Sequence, residues 1–135
     1  MPGHAALAVQ GMVYQLLKSD AQILSLLGGE YIYDHVPDNT ATPYITFGED
    51  SFDDFGAHEV DGFQGFIEIH TWTQAEGGKL CKQIQDMIYR LFHNSDLGLT
   101  EHKTISLRGG LFTTMLDPDG RTFHGVNRFN LILGG

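Results

Sequence analysis

Seven histidines, His4, His35, His58, His70, His93, His102 and His124, are the first side chains to weigh for chemistry. Imidazole binds metals and moves protons near neutral pH. No two of them stand at the i+2, i+3 or i+4 spacing that would set two imidazoles on one metal from a single element. The densest group of possible ligands is Asp53, Asp54, His58, Glu59 and Asp61. Its carboxylates could hold Ca²⁺ or Mg²⁺ loosely, but the ordered alternation of an EF-hand loop is missing, and a solvated acidic loop is the simpler reading. Asp34-His35 has the composition of an acid–base pair, yet neighbours on a strand point to opposite faces. Cys81, the single cysteine, has no adjacent histidine to act as its base, so it reads as packing. One cysteine also excludes an internal disulfide and a cysteine-based zinc cluster. There is no phosphate-binding loop, Rossmann glycine fingerprint or G-x-S-x-G elbow. Residue chemistry therefore predicts no catalyst, no cofactor and no metal, and a binding or assembly module instead.

The elements that must position these residues follow from apolar spacing. Val9, Met12, Val13, Leu16 and Leu17 form one stripe and predict a helix over 5–18. Ser19 or Asp20 can cap a second short helix carrying Ile23, Leu24, Leu26 and Leu27, which Gly28-Gly29 ends. Tyr31 to Val36 reads as a short strand stopped by Pro37-Asp38-Asn39, and Pro43 to Phe47 opens a second. Glu49 to Asp61 holds six acids and no base, which reads as a long loop or the splayed tip of a hairpin. Gly62 to Thr73 is a third strand with Ile67, Ile69 and Thr71 on one face; Trp72 and the phenylalanines read as core. A helix over about 79–93 carries Leu80, Ile84, Met87, Ile88, Leu91 and Phe92. Two strands, 103–116 and 121–133, are joined by Asp117-Pro118-Asp119-Gly120, a strong hairpin signal. The order α-β-β-β-α-β-β predicts an α+β domain: an antiparallel sheet of four to five strands with two main helices on one face.

Bulk numbers agree with one such domain over residues 1–135. The chain has 135 residues, 41% of them hydrophobic and 19% charged, which is globular composition. Its longest apolar runs fall far short of the ~20 residues of a membrane helix. The first residues lack the basic start of a signal peptide, so synthesis in the cytoplasm is expected. Net charge is −9 and unevenly spread: residues 1–78 hold one base, Lys18, against twelve acids, whereas residues 79–135 hold seven bases against five. So acidic a chain is a poor candidate for wrapping nucleic acid, which needs clustered Lys and Arg. It could still line a passage that DNA traverses without sticking, and the asymmetry suits head-to-tail association.

Several segments together resemble the tail-terminator or tail-completion family of long-tailed (siphovirus-type) phages and gene transfer agents, formerly catalogued as a domain of unknown function. The matching pieces are Asp20 to Leu24 and Leu27-Gly28-Gly29, then Ile32-Tyr33-Asp34-His35-Val36-Pro37 and Pro43 to Asp50. Ile69 to Thr73, Gly78 with the amphipathic helix, and Asp117 to Val126 complete them, in order over nearly the whole chain. One departure is Thr73-Gln74-Ala75-Glu76, where the family more often has a basic residue after Trp72.

The resemblance implies a structural virion protein similar to the phage lambda tail terminator. Such a protein forms a hexameric ring that caps the tail tube, stops its polymerisation and offers a docking surface to head-completion or stopper proteins. DNA passes through the lumen without specific binding, no membrane is involved, and no catalytic residue is carried over. The implied location is the head-proximal end of the virion tail, assembled in the cytoplasm of a bacterial host. Exposure and charge make Asp50, Asp53, Asp54, Glu59, Asp61, Arg108, Arg121 and Arg128 the expected subunit or tube interface. Two other readings stay open: a head–tail connector or stopper of the same particle, and a small metal-dependent hydrolase built on the acids of 53–61.

Overall fold

The structure is a computed structural model that describes residues 4–54 and 62–134. Helix α1 (Ala5–Lys18) buries Ala5, Val9, Val13 and Leu17, a strict i, i+4 row. The imidazole of His4 accepts the Ala6 N–H at its start. Helix α2 (Ala21–Leu27) is capped by Asp20, whose carboxylate accepts the Ile23 N–H at 3.0 Å. It ends on Gly28 at φ 84°, the left-handed position where only a missing Cβ avoids a clash. Helix α3 (Lys79–Phe92) buries Ile84, Ile88 and Phe92, together with Cys81 and Gln85.

Five strands follow the expected order: β1 (Ile32–Tyr33), β2 (Tyr44–Asp54), β3 (Phe63–Thr73), β4 (Lys103–Leu116) and β5 (Phe123–Gly134). They form one sheet in the order β1-β2-β3-β5-β4. The class is α+β, as expected, with the helices on one face. One departure from a purely antiparallel sheet is β1, which is short and runs parallel to β2 through Ile32↔Ile45 and Tyr33↔Thr46. The expected strand over 31–36 is therefore only two residues long.

A second departure concerns the acidic stretch. Residues 49–54 are neither loop nor splayed tip but the paired arm of a β2–β3 hairpin: β2 continues past a register shift between Phe47 and Asp50 and pairs with β3 as far as Asp54↔Phe63. Backbone pairing holds them where side-chain pattern gives no signal. Gly65 permits the close approach there, because a Cβ would fall 1.8 Å from the Ser51 carbonyl oxygen. The remaining acids and His58, at 55–61, lie outside the described residues.

Alternation sorts the sheet into two faces. Ile67, Ile69 and Thr71 of β3 and Phe129, Leu131 and Leu133 of β5 are buried under the helices, as the sequence predicts. The even-numbered residues of both strands point to the other face. Trp72 therefore does not sit in the core, and Phe112 is 47% exposed on β4. At the far end, Asp119 closes the β4–β5 turn by accepting the backbone N–H groups of Arg121 and Thr122, both at 2.8 Å.

Candidate functional site

The open face of the sheet carries the most organised polar chemistry among the described residues. Four side chains of β3, Phe66, Glu68, His70 and Trp72, project there because they alternate with the core residues. Each faces an open-face residue of β5 through Phe66↔Asn130, Glu68↔Arg128, His70↔Val126 and Trp72↔His124. Strand pairing thus brings together groups far apart in sequence.

A continuous chain of contacts results. Thr46 on β2 accepts the indole N–H of Trp72 at 3.0 Å. Trp72 stacks on His124, with ring centroids 3.7 Å apart and planes 10° off parallel. His124 Nε2 and His70 Nδ1 lie 2.7 Å apart, and His70 Nε2 lies 2.9 Å from Glu68 Oε1. Arg128 closes the row, donating through Nε at 3.0 Å and Nη2 at 2.6 Å to Glu68 Oε2. Its guanidinium also lies over the Phe66 ring, 4.1 Å from the centroid.

The carboxylate fixes the protons. Glu68 can only accept, so His70 Nε2–H donates to it; with both rings neutral, His70 Nδ1 then accepts from His124 Nε2–H. Burial pushes the Glu68 carboxyl up, but hydrogen bonds from His70 and Arg128 and the Arg128 charge outweigh it and hold the group below its ordinary value. Burial, then the neighbouring His70, holds His124 below the ordinary imidazole value, partly opposed by Asp117 and Glu68. Gly48, in the β2 irregularity, makes room: a Cβ there would lie 2.0 Å from His70 Nε2 and 2.9 Å from Glu68 Oε1.

The hydrogen-bonded part of the row runs from His124 through His70 and Glu68 to Arg128, and the indole of Trp72 joins it by stacking alone. It lies across a sheet face between paired strands. What it does is lock Trp72, His124, His70, Glu68 and Arg128 into one arrangement on the open face.

Those predicted interface residues that are described are scattered rather than clustered. Asp50, Asp53 and Asp54 are exposed on the distal half of β2. Asp53 pairs with Gln64 and Asp54 with Phe63, so the two carboxylates point to opposite faces of the sheet and do not converge on one ion. Glu59 and Asp61 lie outside the described residues. Among the described residues, no three His, Cys, Asp or Glu side chains are placed to hold a metal. Arg108 is exposed on β4 and Arg121 exposed beside the β4–β5 turn. Arg128 is half-buried and bound to Glu68 of its own chain.

The other sequence candidates are placed plainly. Asp34 accepts a hydrogen bond from Gln10 at 2.9 Å. Cys81 is fully buried, and burial pushes its thiol up to about 11. Gln85, which sequence reasoning passed over, is buried on α3 and donates to the Thr113 carbonyl at 2.8 Å while accepting from the Thr114 hydroxyl at 2.7 Å. The His70–His124 pair was also missed. Its members are 54 residues apart, and the β3–β5 pairing that joins them is not written in either strand. The one available signal was the even face of β3, where Glu68, His70 and Trp72 replace the apolar residues of a two-sided core strand.

The fold has a close counterpart among solved structures. A chain in the virion of a native gene transfer agent particle superposes with a TM-score of 0.89 at 23% identity, covering 99% of this chain and 100% of that one. At that identity the likeness is one of fold. A comparison with curated proteins gives no match. A family model described as tail completion protein gp17 matches residues 11–134. That match runs from the second turn of α1 to the end of β5 and takes in every strand of the sheet. By that match the chain belongs to the family of tail completion proteins, structural components of the phage virion tail.

Proposed function

We propose that this protein is a tail terminator: a homohexameric ring that caps the tail tube, stops its polymerisation and receives the head-completion or stopper protein, while DNA passes through its lumen. The observation that carries this reading is the tail-completion family match over residues 11–134. The shared fold with a chain of an assembled gene transfer agent virion supports it. So does charge: a net −9 gives like charge around a DNA passage and disfavours adhesion. On this reading the reaction surface is an assembly surface, and the chain is not an enzyme. The exposed Asp50, Asp53 and Asp54 on one side and Arg108 and Arg121 on the other supply steering charge at subunit or tube contacts, as do Glu59 and Asp61, while Arg128 mainly orders its own open face.

The test is negative-stain electron microscopy of particles from cells lacking the gene. Overlong or unjoined tails beside DNA-filled heads are the expected result. Normal joined particles would discard the terminator role.

A further inference from the structure

Two apolar surfaces lie at opposite edges of the same sheet, and neither is covered by the described part of the chain. At the β4 edge, Leu111, Phe112 and Leu116 are 50, 47 and 54% exposed; Phe112 and Leu116, paired with Asn127 and Phe123, face the helix side, while Met115, paired with His124, faces the open side. The first half of β4 is protected: the Leu107 carbonyl accepts the Asn94 N–H at 2.7 Å, and the Gly109 N–H donates to His93 at 3.0 Å. Over 111–116 Gln85 of α3 reaches the strand, donating to the Thr113 carbonyl at 2.8 Å and accepting from the Thr114 hydroxyl at 2.7 Å, but the apolar side chains stay exposed. A long apolar edge strand left in water is a template for association.

At the other edge, α1 and β1 enclose a groove of about 380 Å³ lined by Leu7, Gly11, Tyr14, Ile32, Tyr33 and Phe47 and also by Gln10, Asp34 and His35. Leu7 is 84% exposed at its mouth, and Gly11 leaves its wall open, with nothing within 4 Å of where a Cβ would stand. Leu7, Gly11 and Tyr14 form a second row on α1, separate from the buried row of Ala5, Val9, Val13 and Leu17.

The registers place strip and groove at one height. Phe47 pairs with Ile69, Ile69 with Asn127, and Asn127 with Phe112, so both phenylalanines share one rung. Paired residues on neighbouring strands point to the same face, and on this rung that is the helix face. One rung pair further, Ile32↔Ile45↔Thr71↔Gly125↔Thr114 joins β1 to β4 in the same way. A lateral shift of one copy therefore brings the strip of its β4 level with the groove of the next copy, on the same side of the sheet.

We infer that the occupant of the α1–β1 groove is a second copy of this chain, whose Phe112 and Leu116 seat in it from β4. The contact is heterologous, since different patches meet, and its repetition closes into a ring when the rotation per copy permits. The inference rests on the ring reading above and locates its joint. The acidic residues of β2 then lie beside this joint rather than at its centre.

The experiment uses purified particles carrying Gly11→Cys together with Phe112→Cys. Cys81 is fully buried and stays out of the chemistry. After oxidation, a non-reducing gel is expected to show a ladder from dimer to closed ring, while each single variant gives monomer. Absence of a ladder in particles whose tails carry a capping ring by electron microscopy overturns the joint and leaves the ring reading standing. A Phe112→Cys link to a tube or head protein instead of Gly11→Cys overturns it as well. Tails with no ring at all overturn the ring reading itself. A second pair of variants guards against misfolding: Phe112→Asp is expected to keep the wild-type thermal midpoint as an isolated chain yet fail to form rings, whereas Ile132→Asp, on the open face, forms them. Rings from Phe112→Asp at wild-type yield would overturn the inference.

Discussion

Glu68→Gln isolates the charge of the open-face network while keeping its shape. Glu68 is only 8% exposed and accepts from His70 at 2.9 Å and from Arg128 at 3.0 and 2.6 Å. Hydrogen bonds to a charged group contribute about 1.5–3 kcal/mol, against about 0.5–1.5 for neutral ones. The amide keeps one accepting oxygen, loses the charge, and turns an N–H₂ toward a donor. The Arg128 side chain is 35% exposed, so it regains water and softens the loss. These effects together predict a destabilisation of about 2 kcal/mol at pH 7. For a chain of this size that is a fall of roughly 6–8 °C in Tm. Combining the variant with Arg128→Met should show coupling of about 1–2 kcal/mol in a double-mutant cycle. The pH dependence has a definite sign. Because the folded carboxyl titrates below its ordinary value of 4.5, its contribution is complete above that value and is lost as pH falls through the folded one. The gap between wild type and Glu68→Gln, followed by thermal melts from pH 7 to pH 3, should therefore hold steady to about pH 5 and then narrow. A Tm within 1 °C of wild type at pH 7, roughly the scatter of such melts, would refute the network as a source of stability.

Three further outcomes follow from the same packing. His124 titrates below its ordinary 6.5, so the unfolded chain binds the proton first and stability falls as pH drops from 6.5 toward the folded value; His124→Phe should flatten that part of a melt-versus-pH profile. Gly48→Ala would place a methyl 2.0 Å from His70 Nε2, forcing the imidazole away, and should lower stability by about 1–3 kcal/mol in urea titrations, whereas Gly11→Ala, in open space, should not. The Cys81 thiol, pushed up to about 11 by burial, should resist iodoacetamide at pH 8 in the native protein and label fully in denaturant, and labelling at equal rates would show the helix–sheet packing to be looser than described.

Local signals carried most of the architecture. The i, i+4 rows of α1 and α3, the Asp20 cap, the Gly28 stop and the Asp117–Gly120 turn are short-range patterns, and each appears where its residues demand. The acidic end of β2 was misread because Asp50, Asp53 and Asp54 have poor strand propensity; their strand is imposed by pairing with β3, a tertiary effect. Trp72 was misread for a related reason. An aromatic on an alternating strand usually marks the core, but here the core parity belongs to Ile69, Thr71 and Thr73, and the indole is satisfied laterally by Thr46 and His124. The site was least legible. The β5 residues His124 and Arg128 meet His70 and Glu68 only because β5 inserts between β3 and β4, an ordering that no local pattern encodes.

The three surfaces of the sheet divide their work by chemistry. The helix face is largely apolar, with Gln85 and Asn127 hydrogen-bonded within it, and holds the fold together. The open face is neither covered nor left loose: beside the exposed Ile132 and Met115, its indole, imidazoles, carboxylate and guanidinium hold one another within the chain. The edges do the opposite. They leave apolar groups exposed at one height on both sides, Phe112 with Leu116 on β4 and Leu7 with the groove on α1 and β1. A subunit that must join its neighbours in a fixed orientation needs this contrast. Adhesive edges select the partner, and an ordered, self-satisfied face does not compete with them. On the proposed reading, edge variants such as Phe112→Asp should abolish assembly while leaving the fold intact, and face variants such as Glu68→Gln should weaken the fold while leaving edge contacts intact. The two classes separate on a plot of ring yield against thermal midpoint. Collapse of both classes onto one line would mean that assembly merely follows subunit stability, and the division argued here would be wrong.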